Sequence, residues 1–119
     1  MAQMTLDKTV LIEDAGSVSI LRCPRCGGEY LHHMGVKVFD RGEDGPAVVR
    51  TSVTGGASKM ELVLAADSQN PSSRRDGLAI QFSCEGCGGS ADDLIELTIA
   101  QHKGSTEIGW RYTPAAKFL

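Results

Sequence analysis

Apolar and polar residues alternate with period two along most of this chain, the signature of strands with one face turned to a core. Val18, Ile20 and Arg22 alternate with Ser17, Ser19 and Leu21 in a run leading straight into Cys23. Residues 29–40, rich in Tyr, Val, His and Phe, form a second extended run, with Gly35 a candidate bulge that resets the alternation. A third strand is expected over 47–53, where Val49, Thr51 and Val53 share a face. After the Thr54-Gly55-Gly56-Ala57-Ser58 turn, Met60, Leu62, Leu64 and Ala66 alternate with Lys59, Glu61 and Val63. That run is of strand length, although Met-Glu-Leu would suit a helix. Leu78, Ile80, Phe82 and Cys84 occupy one face of the next strand, opposite Ala79, Gln81 and Ser83. The clearest hairpin comes last: Ile95, Leu97 and Ile99, a turn at Lys103-Gly104, then Thr106, Ile108, Trp110 and Tyr112.

Between these runs lie two polar connections, 41–46 and 67–77, both loops by composition. At the N-terminus, Val10, Leu11 and Ile12 suit either a short strand or a docking segment, and Glu13-Asp14-Ala15-Gly16 reads as a turn. Trp110 is expected to anchor the core or shield a metal, and the segment from Thr113 to Leu119 either packs back or frays. The pattern predicts an all-β domain, an antiparallel sheet or sandwich of about seven to eight strands with little helix. Its 119 residues read as a single domain over 1–119, organised as a first segment (17–40), a β insertion with a long loop (41–77) and a closing segment (78–112).

What alters this picture is four cysteines, the whole complement of the chain. They fall in two matching pairs, Cys23-Pro24-Arg25-Cys26-Gly27-Gly28 and Cys84-Glu85-Gly86-Cys87-Gly88-Gly89, with 57 residues between Cys26 and Cys84. Thiols two residues apart followed by glycine suit a metal-binding knuckle, because the turn aims backbone N–H groups at sulfur and glycine accepts positive φ without steric cost. Two such pairs complete a tetrahedral Zn²⁺ site with Cys23, Cys26, Cys84 and Cys87 as ligands. A redox dithiol and disulfides compete with this reading; a thioredoxin-like pair opens a helix, whereas both pairs here are expected at strand ends.

The knuckles resemble those of the zinc-ribbon superfamily, in which CPxCG-type turns close a β-hairpin platform; on that resemblance, strand, knuckle and strand around Cys23 and Cys26 form a ribbon hairpin. The long separation makes the chain similar to a ribbon carrying a β-rich insertion. Together with Arg74-Arg75-Asp76-Gly77 and Gln101-His102-Lys103-Gly104 it is similar to small bacterial and phage proteins of this kind, a resemblance that brings no assigned activity. Zinc ribbons commonly bind nucleic acid or another protein, which the resemblance implies for this chain.

A net charge of −3 and a pI near 5.5 work against non-specific binding to polyphosphate, so nucleic acid would need a local patch. Arg22 and Arg25 at the first knuckle and Arg74 and Arg75 in the long loop are the candidates for such a partner-binding surface. Glu85, Asp92 and Asp93 offset them, and an acidic protein partner fits as well as phosphate. His32 and His33 fall on opposite faces of their strand and cannot both reach one metal easily, while His102 sits at a turn. No H-E-x-x-H, deaminase, P-loop, G-x-S-x-G or G-x-G-x-x-G motif is present, and four thiolates leave no open position for activating water.

The expectation is a non-enzymatic structural-zinc module, acting in macromolecular and foremost protein–protein interaction. The alternative is a nucleic-acid-binding ribbon, with a hydrolase or transferase lacking recognisable motifs behind both. With no apolar run of membrane-spanning length and no basic, apolar leader at Met1-Ala2-Gln3-Met4, a cytoplasmic setting is expected, where thiols stay reduced.

Overall fold

The computed structural model describes residues 5–6, 11–87 and 94–113. Among the described residues nine strands run β1 (Thr5–Leu6), β2 (Leu11–Ala15), β3 (Val18–Arg22), β4 (Leu31–Asp40), β5 (Ala47–Thr54), β6 (Ala57–Leu64), β7 (Gly77–Cys84), β8 (Ile95–His102) and β9 (Ser105–Tyr112). One short helix, α1 (Ala65–Ser68), follows β6, and a 3₁₀ turn, Glu85–Cys87, follows β7. Seven strands form one sheet in the order β1-β9-β8-β7-β4-β5-β6, and β2 and β3 form a separate two-stranded sheet. Every pairing is antiparallel. The fold is therefore all-β with little helix, as the alternation predicts. Among the described residues no helix is long and apolar enough to cross a membrane.

Several boundaries follow from local chemistry. Gly55 and Gly56, at φ of 59° and 81°, make the two-residue turn that joins β5 to β6 residue for residue. Lys103 and Gly104, at φ of 50° and 85°, do the same between β8 and β9. The expected bulge is present, the β4–β7 register shifting between His33 and Gly35. The N-terminal turn sits later than expected: Glu13, Asp14 and Ala15 belong to β2, and the chain reverses at Gly16. The expected loop at 67–77 begins with the last turn of α1.

One expectation is corrected. The strands flanking the first knuckle do not pair as a ribbon hairpin, because β3 pairs with β2 while β4 pairs with β5 and β7. The local reversal at Gly16 gives β3 a neighbour only two residues away. The knuckle then carries the chain from one sheet to the other.

Two small cores lie on opposite faces of the large sheet. Residues directly opposed across a ladder share a face, so the registers place Val36, Ile80, Leu97 and Trp110 on one face and Lys37, Ala79, Ser52 and Thr98 on the other. On the first face, Phe82, Ile95 and Trp110 pack with Cys23 and Cys84, flanked by Leu21, Leu31 and Tyr112. Phe82 and Trp110 meet edge to face with ring centroids 5.9 Å apart. On the second face, at the opposite end of the strands, Phe39, Val48 and Ala79 pack beneath Val63 and Ala65.

That second face also buries charge, which the alternation does not foretell. Lys37, Gln81, Glu96 and Arg111 are all buried, and Arg111 Nε donates to Glu96 Oε1 at 2.7 Å. Burial pushes the Glu96 carboxyl up against the pull of Arg111. Burial likewise brings Lys37 down to about 8, the positive charge of Arg50 adding to the effect. The apolar face, by contrast, stays open away from the knuckles: Val38, Val53, Met60, Leu62, Leu64 and Ile108 are all exposed.

Candidate metal centre

The two knuckles, remote in sequence, meet at the end of β7. Cys23 directly follows β3 and is buried; its N–H donates to the Gly28 carbonyl and its own carbonyl accepts from Gly27 N–H, each at 2.9 Å. Gly27 closes this loop at φ of 75°, the left-handed region that glycine enters freely. With the loop closed, backbone N–H groups point at sulfur: Arg25 to Cys23 Sγ and Gly28 to Cys26 Sγ, both at 3.4 Å. The second knuckle is built differently. Cys84 is the buried last residue of β7, and the 3₁₀ turn swings Cys87 back beside it, fastened by Glu85 N–H donating to the Tyr30 carbonyl. Gly88 and Gly89 lie outside the described residues.

The ligand atoms of Cys23, Cys26, Cys84 and Cys87 all lie within 4.8 Å of one another, the only such group among the described residues. Cys23 Sγ is 3.8 Å from Cys87 Sγ, and Cys26 Sγ is 3.5 Å from Cys84 Sγ. A tetrahedral ion with metal–sulfur bonds of about 2.3 Å needs neighbouring sulfurs about 3.8 Å apart. The donor set and its spacing thus fit a tetrahedral thiolate-binding metal, with each knuckle supplying two ligands. Space around the sulfurs is tight: a Cβ at Gly86 would stand 3.1 Å from Cys26 Sγ, and one at Gly28 3.3 Å from it.

Cys23, Cys84 and Cys87 titrate unevenly. Burial opposes the Cys23 thiolate, yet the N–H groups of Cys26 and Arg25 and the adjoining thiols outweigh it and bring Cys23 down to about 7. Burial and the same neighbours push Cys87 up to about 12, and burial raises Cys84. Four sulfurs this close favour sharing few negative charges, and a bound dication removes the conflict by stabilising all four as thiolates.

The arginines do not form one patch. Arg22 bonds the Gly27 carbonyl at 2.9 Å and pairs with Glu13 and Glu29, so it braces the first knuckle. Arg25 lies 6.0 Å from the Tyr112 ring centroid. Arg74 makes a bidentate contact with Asp44, at 3.0 and 2.8 Å, and Arg75 reaches Glu43 at 2.8 Å. The Arg74 guanidinium holds the Asp44 carboxyl below its usual range. Asp76 is engaged elsewhere, accepting from Arg41 N–H at 2.8 Å. These two pairs sit near opposite ends of β7, whose eight residues span about 25 Å. An open cavity of about 460 Å³ lies at the Arg75 end, lined by Arg41, Glu43, Arg75, Asp76, Leu78 and Gln101 among others.

Of the histidines, His32 has a partner that sequence reasoning missed: its Nε2 lies 2.6 Å from Glu85 Oε2, at the rim of the second knuckle. The β4–β7 register brings them together by opposing His32 to Ser83, two residues before Glu85. Alternation alone carries no register, so this contact has no signal in the sequence. His32, His33 and His102 are not in the four-sulfur group. Asp92 and Asp93 lie outside the described residues.

Fold and site together define a small all-β protein with a four-cysteine cluster that could hold a metal ion. No family model matches the chain, and no curated protein or solved structure matches it either.

Proposed function

We propose that this protein is a non-enzymatic zinc-binding β module of zinc-ribbon type, whose metal is structural and whose sheet presents a surface to a protein partner. The observation that carries the reading is the sulfur cluster: four thiolates at tetrahedral spacing saturate a zinc ion and leave no position for substrate or activated water. Zinc is the ion of choice because an all-thiolate tetrahedral set suits it and because it brings no redox chemistry of its own.

A protein partner is favoured over nucleic acid by two features. The exposed residues Val38, Val53, Met60, Leu62, Leu64 and Ile108 share one sheet face, and apolar surface of this kind is buried by protein rather than by phosphate. Arg74 and Arg75 are already engaged by Asp44 and Glu43, which lowers their pull on a polyanion. In a protein interface the same arginines and Arg22 and Arg25 would serve as polar rim contacts, exchanging carboxylates with the partner.

Titration with labelled single- and double-stranded oligonucleotides at low salt tests this directly. The expected result is no saturable binding. Tight binding that weakens steeply with salt and is lost on Arg25→Ala or Arg74→Ala/Arg75→Ala substitution would replace this reading with the nucleic-acid one.

A further inference from the structure

The large sheet ends at β6, and this edge is unusually well prepared to receive another strand. Natural edges are commonly blunted by shortness, proline, bulges or charged side chains, and of these β6 carries only Lys59 and Glu61. β6 has eight residues, no proline, and an unbroken register with β5 from Ala57 to Leu64. The two-residue turn at Gly55-Gly56 makes Thr54–Ala57 a hydrogen-bonded pair, and the antiparallel ladder then alternates. Ala57, Lys59, Glu61 and Val63 therefore spend their backbone groups on β5. Ser58, Met60, Leu62 and Leu64 point theirs outward.

Nothing in α1 covers this row. Arg50 Nη1 donates to the Ser68 carbonyl at 3.0 Å, which ties α1 to the face bearing Arg50 and Glu61, away from Met60. Met60, Leu62 and Leu64 are accordingly 73, 73 and 63% exposed. The two charges on the strand, Lys59 and Glu61, are of opposite sign and stand symmetrically about Met60. They lie close enough to touch within one strand, at 3.7 Å.

We propose that β6 pairs antiparallel with β6 of a second copy of this chain, about a twofold axis passing between the two Met60 residues, giving a continuous fourteen-stranded sheet. In this register Met60 bonds to Met60 and Ser58 to Leu62 of the second copy, using only outward backbone groups. Lys59 then stands opposite Glu61 of the second copy, and the reverse, so each lysine faces a carboxylate that Arg50 of its own chain also holds at 3.0 Å. Moving the axis to Lys59 or to Glu61 opposes like charges, and moving it to Leu62 sets Glu61 against Val63. The charge pattern selects Met60. The proposal rests on a sheet edge unpaired among the described residues and not on the partner surface of the preceding section, which a monomeric protein would leave intact.

The test is sedimentation velocity of the zinc-loaded full chain under reducing conditions, from about 1 to 100 µM. A monomer–dimer equilibrium is expected for the wild type. Lys59→Glu and Glu61→Lys each place like charges across the axis and should weaken dimerisation by about tenfold or more, whereas an equimolar mixture of the two should restore it. Met60→Glu sets two carboxylates on the axis itself and should also yield a monomer; its exposed position spares the fold, which keeps the test decisive if Glu61→Lys does not fold. A wild type that is monomeric at the highest concentration, a dimer indifferent to Lys59→Glu and Met60→Glu, or folded charge variants that stay monomeric when mixed would each overturn the proposal.

Discussion

The two ends of the seven-stranded sheet are held by different means. At the knuckle end, Phe82, Ile95 and Trp110 pack with Cys23 and Cys84, so two of the five buried residues of this core are cysteines. At the far end, on the opposite face, Phe39, Val48 and Ala79 pack against Val63 and Ala65, with α1 folded over them and no metal ligand among them. β7 runs through both, with Ala79 in one core and Phe82 and Cys84 in the other. The lesson is that a chain of this size can divide its core, leaving one end to ordinary apolar packing and placing at the other a sulfur cluster that could hold an ion.

The largest expected effect follows from removing that ion. Chelation of the metal, or Cys84→Ser, should cost at least about 5 kcal/mol, since structural zinc contributes about 10 to 16 kcal/mol of binding free energy in small domains. Hydrogen exchange sharpens the comparison: protection should be lost first in β3 and the knuckles and last in β4 and β5. Uniform loss would mean the two ends are one cooperative unit.

Next come the two aromatic anchors. Trp110→Ala and Phe39→Ala should each destabilise by about 3 to 5 kcal/mol in thermal or denaturant unfolding. They should differ in their effect on zinc: competition with a chromophoric chelator should show weaker affinity for Trp110→Ala and unchanged affinity for Phe39→Ala.

Lys37 supplies a pH test away from the metal. Its folded pKa of about 8 lies below the model-compound value of 10.5, so between these values the unfolded chain binds more protons and stability rises with pH. Lys37→Met should abolish this rise, a difference on the order of 3 kcal/mol across the window in denaturant titrations. The smallest effect belongs to Gly86→Ala. The new methyl group, 3.1 Å from Cys26 Sγ, should lower metal affinity by about tenfold while leaving the sheet intact by circular dichroism.

Much of this was legible in the sequence because strands and knuckles are local. Alternation located β3 to β9 to within a few residues, and Gly55-Gly56 and Lys103-Gly104 carried their turns openly. The clustering of the four cysteines was legible because thiol spacing followed by glycine is itself a geometric instruction. What remained hidden depends on register. Alternation assigns Leu78 and Leu62 to the same kind of face as Phe82, yet only the knuckle end of that face is covered, and Leu62 is exposed. Nothing in the alternation foretells that Lys37, Glu96 and Arg111 converge across β4, β8 and β9 into a buried charged layer. The pairing of β3 with β2 instead of β4 was also a choice between neighbours that periodicity cannot make.

The central claim is that one ion joins Cys23 and Cys26 to Cys84 and Cys87. X-ray absorption at the zinc edge, on protein purified under reducing conditions with its metal content measured, tests it most directly. The account predicts one zinc per chain in a shell of four sulfurs at about 2.3 Å. Metal-free protein that is folded, or a shell containing nitrogen or oxygen ligands, would contradict it.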